Sequence, residues 1–339
     1  MSRKINLSLV LGMLLGAAIF FTAKPVKALT ITPLRFELNA NPGDSVSGKL
    51  KFFNEENKPV TYYFVSYNFE AKDETGQPQF VSAANNLAKW INKPGNVTLE
   101  ARSYQMVDFS ITIPKDAEPG GYFAGLFAST MPEKEQAQNI VLTEEIGTLI
   151  LFRVNGDIPE GANILEFDLK GKNIFYSSLP VDFYYRFKNS GADRIKPLGD
   201  IIITNFFGSV SKIIKANSDG GNILPQSIRR FEAAWLEPAG SGGVEQDPNI
   251  VRPQKPQNGF WKKVRYEWEN FSFGRYSAKL NIVYGYNTQT SVTAKTSFWV
   301  FPWRFLLVAA ASIIIFLSLL LSAAVWIVYK IIKRLGKRK

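Results

Sequence analysis

Few residues in this chain could carry chemistry, and their types set narrow limits. In 339 residues there is no histidine and no cysteine. The commonest general base, most zinc sites and the Ser-His and Cys-His nucleophile pairs therefore have nothing to be built from. Carboxylate pairs, Ser–Lys dyads and oxygen ligands remain. Three short matches run in order along the chain: Ser209-Val210-Ser211-Lys212 fits S-x-x-K, Ser218-Asp219-Gly220 half-fits S-D-N, and Lys295-Thr296-Ser297 half-fits K-T-G. These are the elements of penicillin-recognising enzymes. That chemistry needs the first Ser and Lys on one face of a helix N-terminus, whereas 209–214 reads as a strand. A single short hairpin also separates the first two elements, so the match is one of short patterns by chance.

The adjacent acids Asp73/Glu74 and Glu144/Glu145 do not face each other across a cleft, as a glycosidase pair must. The stretch Asp73-Glu74-Thr75-Gly76-Gln77 lacks the ligand spacing of a calcium loop. No catalytic residue, metal ligand, cofactor or small-molecule substrate is assigned, and the expectation is a protein without enzymatic activity. Binding chemistry is left to the aromatics, 14% of the chain. Most sit at alternating strand positions and read as core. Tyr62, Trp90 and Tyr104 read as pointing outward, as does Trp261 further on. Exposed rings stack on sugar faces, which makes Tyr62, Trp90 and Tyr104 the candidate glycan-stacking residues.

The elements that would position them are strands. Val46, Leu50 and Phe52 alternate with Ser45, Ser47, Lys49 and Lys51; Val107, Phe109, Ile111 and Ile113 alternate with Asp108, Ser110 and Thr112. Tyr63, Val65, Tyr67 and Phe69 share one side of their strand, and 146–154 is apolar on both faces, as a central strand is. Turn residues such as Asn41-Pro42-Gly43-Asp44 and Glu118-Pro119-Gly120-Gly121 separate the runs. After the short linker Gly156–Gly161 the pattern restarts, with Val181, Phe183, Tyr185 and Phe187 on one face and Tyr276, Ala278, Leu280, Ile282 and Tyr284 on another. The spacing predicts an all-β ectodomain of two tandem Ig-like β-sandwiches, over 29–157 and 158–300. Residues 237–258, rich in Gly, Pro and Ser, read as a long loop in the second, with partner binding an option for it.

The charge lies at the ends. The net charge is +11, yet Arg3, Lys4, Lys24 and Lys27 at the head and Lys330, Lys333, Arg334, Lys337, Arg338 and Lys339 at the tail hold ten of the 40 basic residues and no acid. Between them 30 basic residues face 29 acidic ones, so no nucleic-acid partner is indicated. Residues 1–28 have the positive start, apolar run and small-residue exit of a signal peptide, with an uncleaved signal anchor as the alternative. Phe305–Tyr329 carries no charge over 25 residues, enough for a transmembrane helix in a 301–329 segment. Trp299 and Trp303 at its entrance and Trp326 and Tyr329 at its exit stand where interfacial aromatics do, and the basic 330–339 tail predicts a cytoplasmic end. The expected location is a cell membrane, crossed once, with the sandwiches outside.

The order of these parts, with "IPKDAEPGGYFAGLF" (113–127), "NSGADRIKPLGDIIITNFFG" (189–208), "NILPQSIRRFEAAW" (222–235), "GRYSAKLNIVYG" (274–285), "FWVFPWRF" and the span, resembles the WxL-interacting surface proteins of Gram-positive bacteria and their relatives. The resemblance covers about 29–339. It implies peptidoglycan binding by the first sandwich and contact with surface proteins by the second. The alternative left open is a spacer or assembly subunit that pairs strand edges and has no glycan ligand.

Overall fold

The computed structural model describes residues 29–82, 86–132, 145–236, 255, 258–286 and 289–336. The head segment, most of 237–258 and the last three basic residues of the tail lie outside these. The chain divides into two compact units, one comprising the residues up to Phe69 with Phe80–Asn155, the other Glu70–Gln79 with the chain from Gly156 onward.

In the first unit, β1 (Leu29–Thr32) pairs antiparallel with β3 (Ser45–Asn54), while β2 (Arg35–Ala40) has crossed to the opposite sheet and runs parallel to β10 (Glu145–Val154). The remaining strands are β4 (Val60–Ala71), β5 (Pro78–Val81), β6 (Ile91–Asn92), β7 (Val97–Leu99), β8 (Tyr104–Thr112) and β9 (Gly120–Ser129), with a one-turn helix α1 (Leu87–Trp90) before β6. One sheet has the order β1-β3-β8-β6; the other is β2-β10-β9-β4-β5, with β7 also on β4. Leu50, Phe52 and Ile111 from one sheet meet Phe64, Leu126, Ile150 and Phe152 from the other. Each such burial contributes about 1.5–3 kcal/mol.

The faces of β4 are a correction. Its core side is Tyr62, Phe64, Ser66 and Asn68, and the more apolar row Tyr63-Val65-Tyr67-Phe69 lies on the other face. The polar pair on the core side has a task there. Ser66 Oγ donates to the Ala88 carbonyl at 2.9 Å, and Asn68 Oδ1 accepts from the Ala88 amide at 2.9 Å, clipping α1 to the strand. Buried polar groups are tolerated when paired in this way.

In the second unit, β11 (Ala162–Leu169), β13 (Val181–Asn189) and β16 (Ile228–Trp235) form a three-stranded sheet. The facing sheet contains β12 (Phe175–Tyr176), β14 (Leu198–Asn205), β15 (Val210–Lys215), β17 (Gly274–Tyr284) and β18 (Thr290–Val300), in the order β12-β18-β17-β14-β15. Trp235 is fully buried, with ring centroids 4.9 Å from Tyr276 and 6.1 Å from Phe298. A ten-residue helix, α2 (Phe260–Glu269), precedes β17, and the 34-residue α3 (Trp303–Gly336) follows β18. Its Trp303–Lys330 stretch of 28 residues is long and apolar enough to cross a membrane. It extends about 42 Å at roughly 1.5 Å per residue, against about 30 Å of hydrocarbon.

The first turn of α3 is held by a buried acid on α2. Glu267 is 1% exposed; its Oε1 accepts from Arg304 at 2.8 Å and its Oε2 from the Phe305 amide at 2.9 Å. That amide is one of the donors a helix start leaves without an intrahelical acceptor, and a carboxylate there also opposes the positive end of the helix dipole.

Candidate functional site

All but one of the residues singled out for chemistry have a defined place. Ser211 and Lys212 lie within β15, with Ser209 just before it. Residues three apart on a strand point to opposite faces, so the S-x-x-K pattern cannot converge. Lys295 and Thr296 lie in β18, and Ser218 sits in a turn with its hydroxyl 3.1 Å from Asp219 Oδ1. The Asp73 carboxylate accepts from the Thr75 hydroxyl at 2.5 Å and its amide at 2.7 Å, which together hold it below the usual carboxylate range. This is a local turn. Glu145 lies at the start of β10, while Glu144 is outside the described residues. Among the described residues no group of three or more acids could hold a metal ion.

The three candidate glycan rings do not form one surface. Tyr62 is 5% exposed and belongs to the core, because β4 turns its other face outward; burial, then the Glu56 charge, raises its phenol. Trp90 packs on Tyr122 with centroids 4.6 Å apart, half covered against the core. Tyr104 alone of the three is exposed, at 63%, with the Lys51 ammonium 4.3 Å above its ring. Trp299, Trp303, Trp326 and Tyr329, at the two ends of the apolar helix, are all exposed, and Lys330 lies 4.4 Å over Trp326. Trp261, on α2, is exposed as expected.

Two features escaped the sequence reading. The outer face of the β2-β10-β9-β4-β5 sheet carries its own aromatic layer, in which Phe80 packs on Phe127 (4.9 Å), Phe69 (6.0 Å) and Tyr67 (6.5 Å). Gly125 and Gly147 make room for it: a Cβ on Gly125 would stand 2.3 Å from the Phe127 ring, and one on Gly147 would stand 2.4 Å from the Leu126 carbonyl oxygen. The alternation of Tyr67 and Phe69 marked this layer, but nothing in it said which face was the core.

The second is a strand edge. β8 pairs with β3 from Tyr104 to Thr112, while β6 covers its other side only at Ser110 and Ile111. The Asn54 amide donates to the Ser103 carbonyl, and the Ile113 amide to the Asp44 carbonyl, both at 2.9 Å. Since antiparallel pairs alternate, the odd-numbered residues from 103 to 113 turn their backbone groups toward β3. The amides and carbonyls of Tyr104, Met106 and Asp108 therefore face away from β3, on a stretch beside which no strand lies among the described residues. The outward side chains of this stretch are mixed: the Tyr104 ring under Lys51, an exposed Met106, and Asp108 3.5 Å from Lys49. This edge offers a row of free backbone hydrogen-bonding groups, flanked on the solvent face by an aromatic, an apolar and a charged side chain. Chemically, it can add a strand.

No family model matches the chain, and no curated protein does. Among solved structures it is similar to the class 5 fimbriae chaperone CfaA, at 12% identity over 79% of this chain and 99% of that one, with a TM-score of 0.38. It is similar to the E. coli chaperone DraB at 12% identity over 81% and 98%, TM-score 0.33. A chain of the Salmonella enterica SafA pilin–SafB chaperone complex matches at 10% identity over 82% and 99%, TM-score 0.34. With TM-scores this low, the likenesses carry no inference about function.

Proposed function

We propose that this protein is a membrane-anchored, non-catalytic binding subunit that holds an extended segment of another surface protein as an added strand. The observation that carries the reading is the unpaired β8 edge, with the backbone groups of Tyr104, Met106 and Asp108 turned outward. Unpaired edges invite pairing with other chains, and proteins that do not use them tend to blunt them with proline, bulges or covering loops. Here the β3–β8 register runs without a shift from Ser45/Thr112 to Phe53/Tyr104. The span and the basic tail support anchoring with the sandwiches on the outer side. Peptidoglycan, the ligand the WxL-interacting resemblance implies, has one exposed ring of the three named for it, Tyr104, and is the weaker reading.

The full chain, purified from its native membrane with its partners, separates the two. Met106→Pro removes an outward amide without touching the β3 ladder, and Tyr104→Ala removes the ring. Strand addition predicts that Met106→Pro strips the partner while Tyr104→Ala retains most of it. Pelleting with peptidoglycan sacculi that is lost in Tyr104→Ala and kept in Met106→Pro would instead support the glycan.

A further inference from the structure

The end of the second sandwich from which α3 departs exposes more aromatic surface than a tether requires. β14 and β18 both run antiparallel to β17, so they point the same way, and the row Asn205–Tyr276–Phe298 aligns their C-terminal ends. Past that row β14 turns through Phe206 and Phe207, the latter 87% exposed. The tip is fixed, because Asn205 Oδ1 accepts from the amides of Phe207 and Ser209 at 3.0 Å each. Past the same row β18 runs on into Phe301 and Trp303, and the chain enters β17 through Phe273; all three are exposed. At the opposite end the turn after β15 is Asn217-Ser218-Asp219-Gly220, and the turn after β17 opens with Gly285-Tyr286.

Isolated exposed rings are ordinary, but exposed rings from separate chain segments gathered at one end form a patch. Helix α2 extends it. Trp261, 70% exposed, and Trp268 are two turns apart on its outer side, with Arg265 between them and Lys262 and Glu269 on one flank. Trp268 packs against Phe305 with centroids 4.9 Å apart, which places that side beside the first turn of α3. A mostly apolar groove of about 750 Å³ lies between Phe175, Trp299, Phe301 and Trp303. Trp303 is both its wall and the first residue of α3, so the patch is continuous with the apolar helix.

We propose that this end is a lipid-binding surface, seated in the interfacial layer of the same bilayer that α3 crosses. The inference rests on the reading of α3 as a membrane span. Phe and Trp favour that layer, and the Arg265 side chain beside the two tryptophans can reach lipid headgroups while its stem stays among the rings. The Glu267 clamp on Arg304 and Phe305 keeps the aromatic end at the height of the span entrance, so the second sandwich sits on the membrane.

The absence of cysteine allows a test by single labelled sites. Ser209→Cys reports the aromatic tip with both phenylalanines intact, Ser218→Cys the opposite end, and Ser318→Cys the middle of α3. The full chain carrying a fluorophore at each site is placed in nanodiscs of phosphatidylcholine and phosphatidylglycerol with nitroxide-labelled lipids. Headgroup-level nitroxide is expected to quench Ser209→Cys at least about threefold more than Ser218→Cys, as an interfacial position requires. Equal, weak quenching at both, with Ser318→Cys quenched by acyl-chain nitroxide, overturns the docked surface and leaves the span standing. An aqueous Ser318→Cys overturns the span itself, and with it the surface.

Discussion

Removing the Glu267 carboxylate should loosen the join between the second sandwich and the apolar helix, by an amount the geometry sets. Glu267 is almost fully buried and receives two hydrogen bonds, at 2.8 Å from Arg304 and 2.9 Å from the Phe305 amide. Breaking a buried pair by deleting one partner costs about 3–5 kcal/mol, because the other charge stays behind. Arg304 keeps a side-chain exposure of 23% and stacks 4.4 Å over Trp303, so part of its charge finds water and the ring. Glu267→Leu should therefore fall at the low end, about 3 kcal/mol. For a domain of this size that is about 6–12 °C in Tm, from roughly 2–4 °C per kcal/mol. Glu267→Gln keeps an oxygen for the Phe305 amide and should cost about half as much. The double variant Glu267→Leu/Arg304→Met should recover stability relative to Glu267→Leu, since it leaves no charge unpaired. Thermal unfolding of the full chain in nanodiscs, followed by tryptophan circular dichroism, reads all three. A Glu267→Leu midpoint within about 2 °C of the parent, or no recovery in the double variant, would refute the clamp.

Three further outcomes follow from the fold. Gly147→Ala should destabilise by about 1–3 kcal/mol, because its Cβ would meet the Leu126 carbonyl oxygen and the Phe127 ring; Gly95→Ala, with open space around it, is the control, and equal chemical denaturation midpoints would contradict the aromatic layer. The Tyr184 hydroxyl donates to Glu166 at 2.6 Å, and that bond, with burial, pushes its pKa up to about 12. The folded state then keeps a proton that the unfolded state loses near pH 10, so this stabilisation is complete below about pH 10 and lost as pH rises toward about 12. Glu166→Gln should shrink that alkaline loss, as unfolding at about pH 9 and about pH 11.5 would show; an unchanged loss would count against the bond. Trp235→Ala should cost about 3–5 kcal/mol and unfold the second unit near ambient temperature, since the ring is fully buried between Tyr276 and Phe298; a near-native midpoint would mean that the core closes over the gap.

Much of this architecture was legible because its signals are periodic. In β8, Val107, Phe109 and Ile111 are buried and Asp108 is exposed, as their alternation implied, and β10, apolar on both faces, lies between β2 and β9. Both sandwiches and the long apolar helix are present. Periodicity gives a face its parity and not its side. β4 offered two plausible core faces, and the less apolar one is inside, with Ser66 and Asn68 bonded to α1 there, which puts Tyr62 in the core and not on the surface. Helix α2 was hidden because charges fill its outer side and only Val264 and Glu267 are buried, leaving a short apolar signal beside a polar loop. The aromatic end of the second sandwich needed register to assemble it, since Phe207, Phe273 and Phe301 are far apart in sequence. The β8 edge is likewise invisible in the chain. It depends on how short β6 is and on which residues face β3, and both are properties of pairing.

Hydrogen exchange at the β8 edge tests the central claim most directly. In the full chain alone, the amides of Tyr104, Met106 and Asp108 should exchange fast while those of Gln105, Val107 and Phe109 stay protected by β3. With the natural partner bound, strand addition predicts strong slowing at the first three and little change at the others. A bound partner that leaves Tyr104, Met106 and Asp108 exchanging as before would contradict the account.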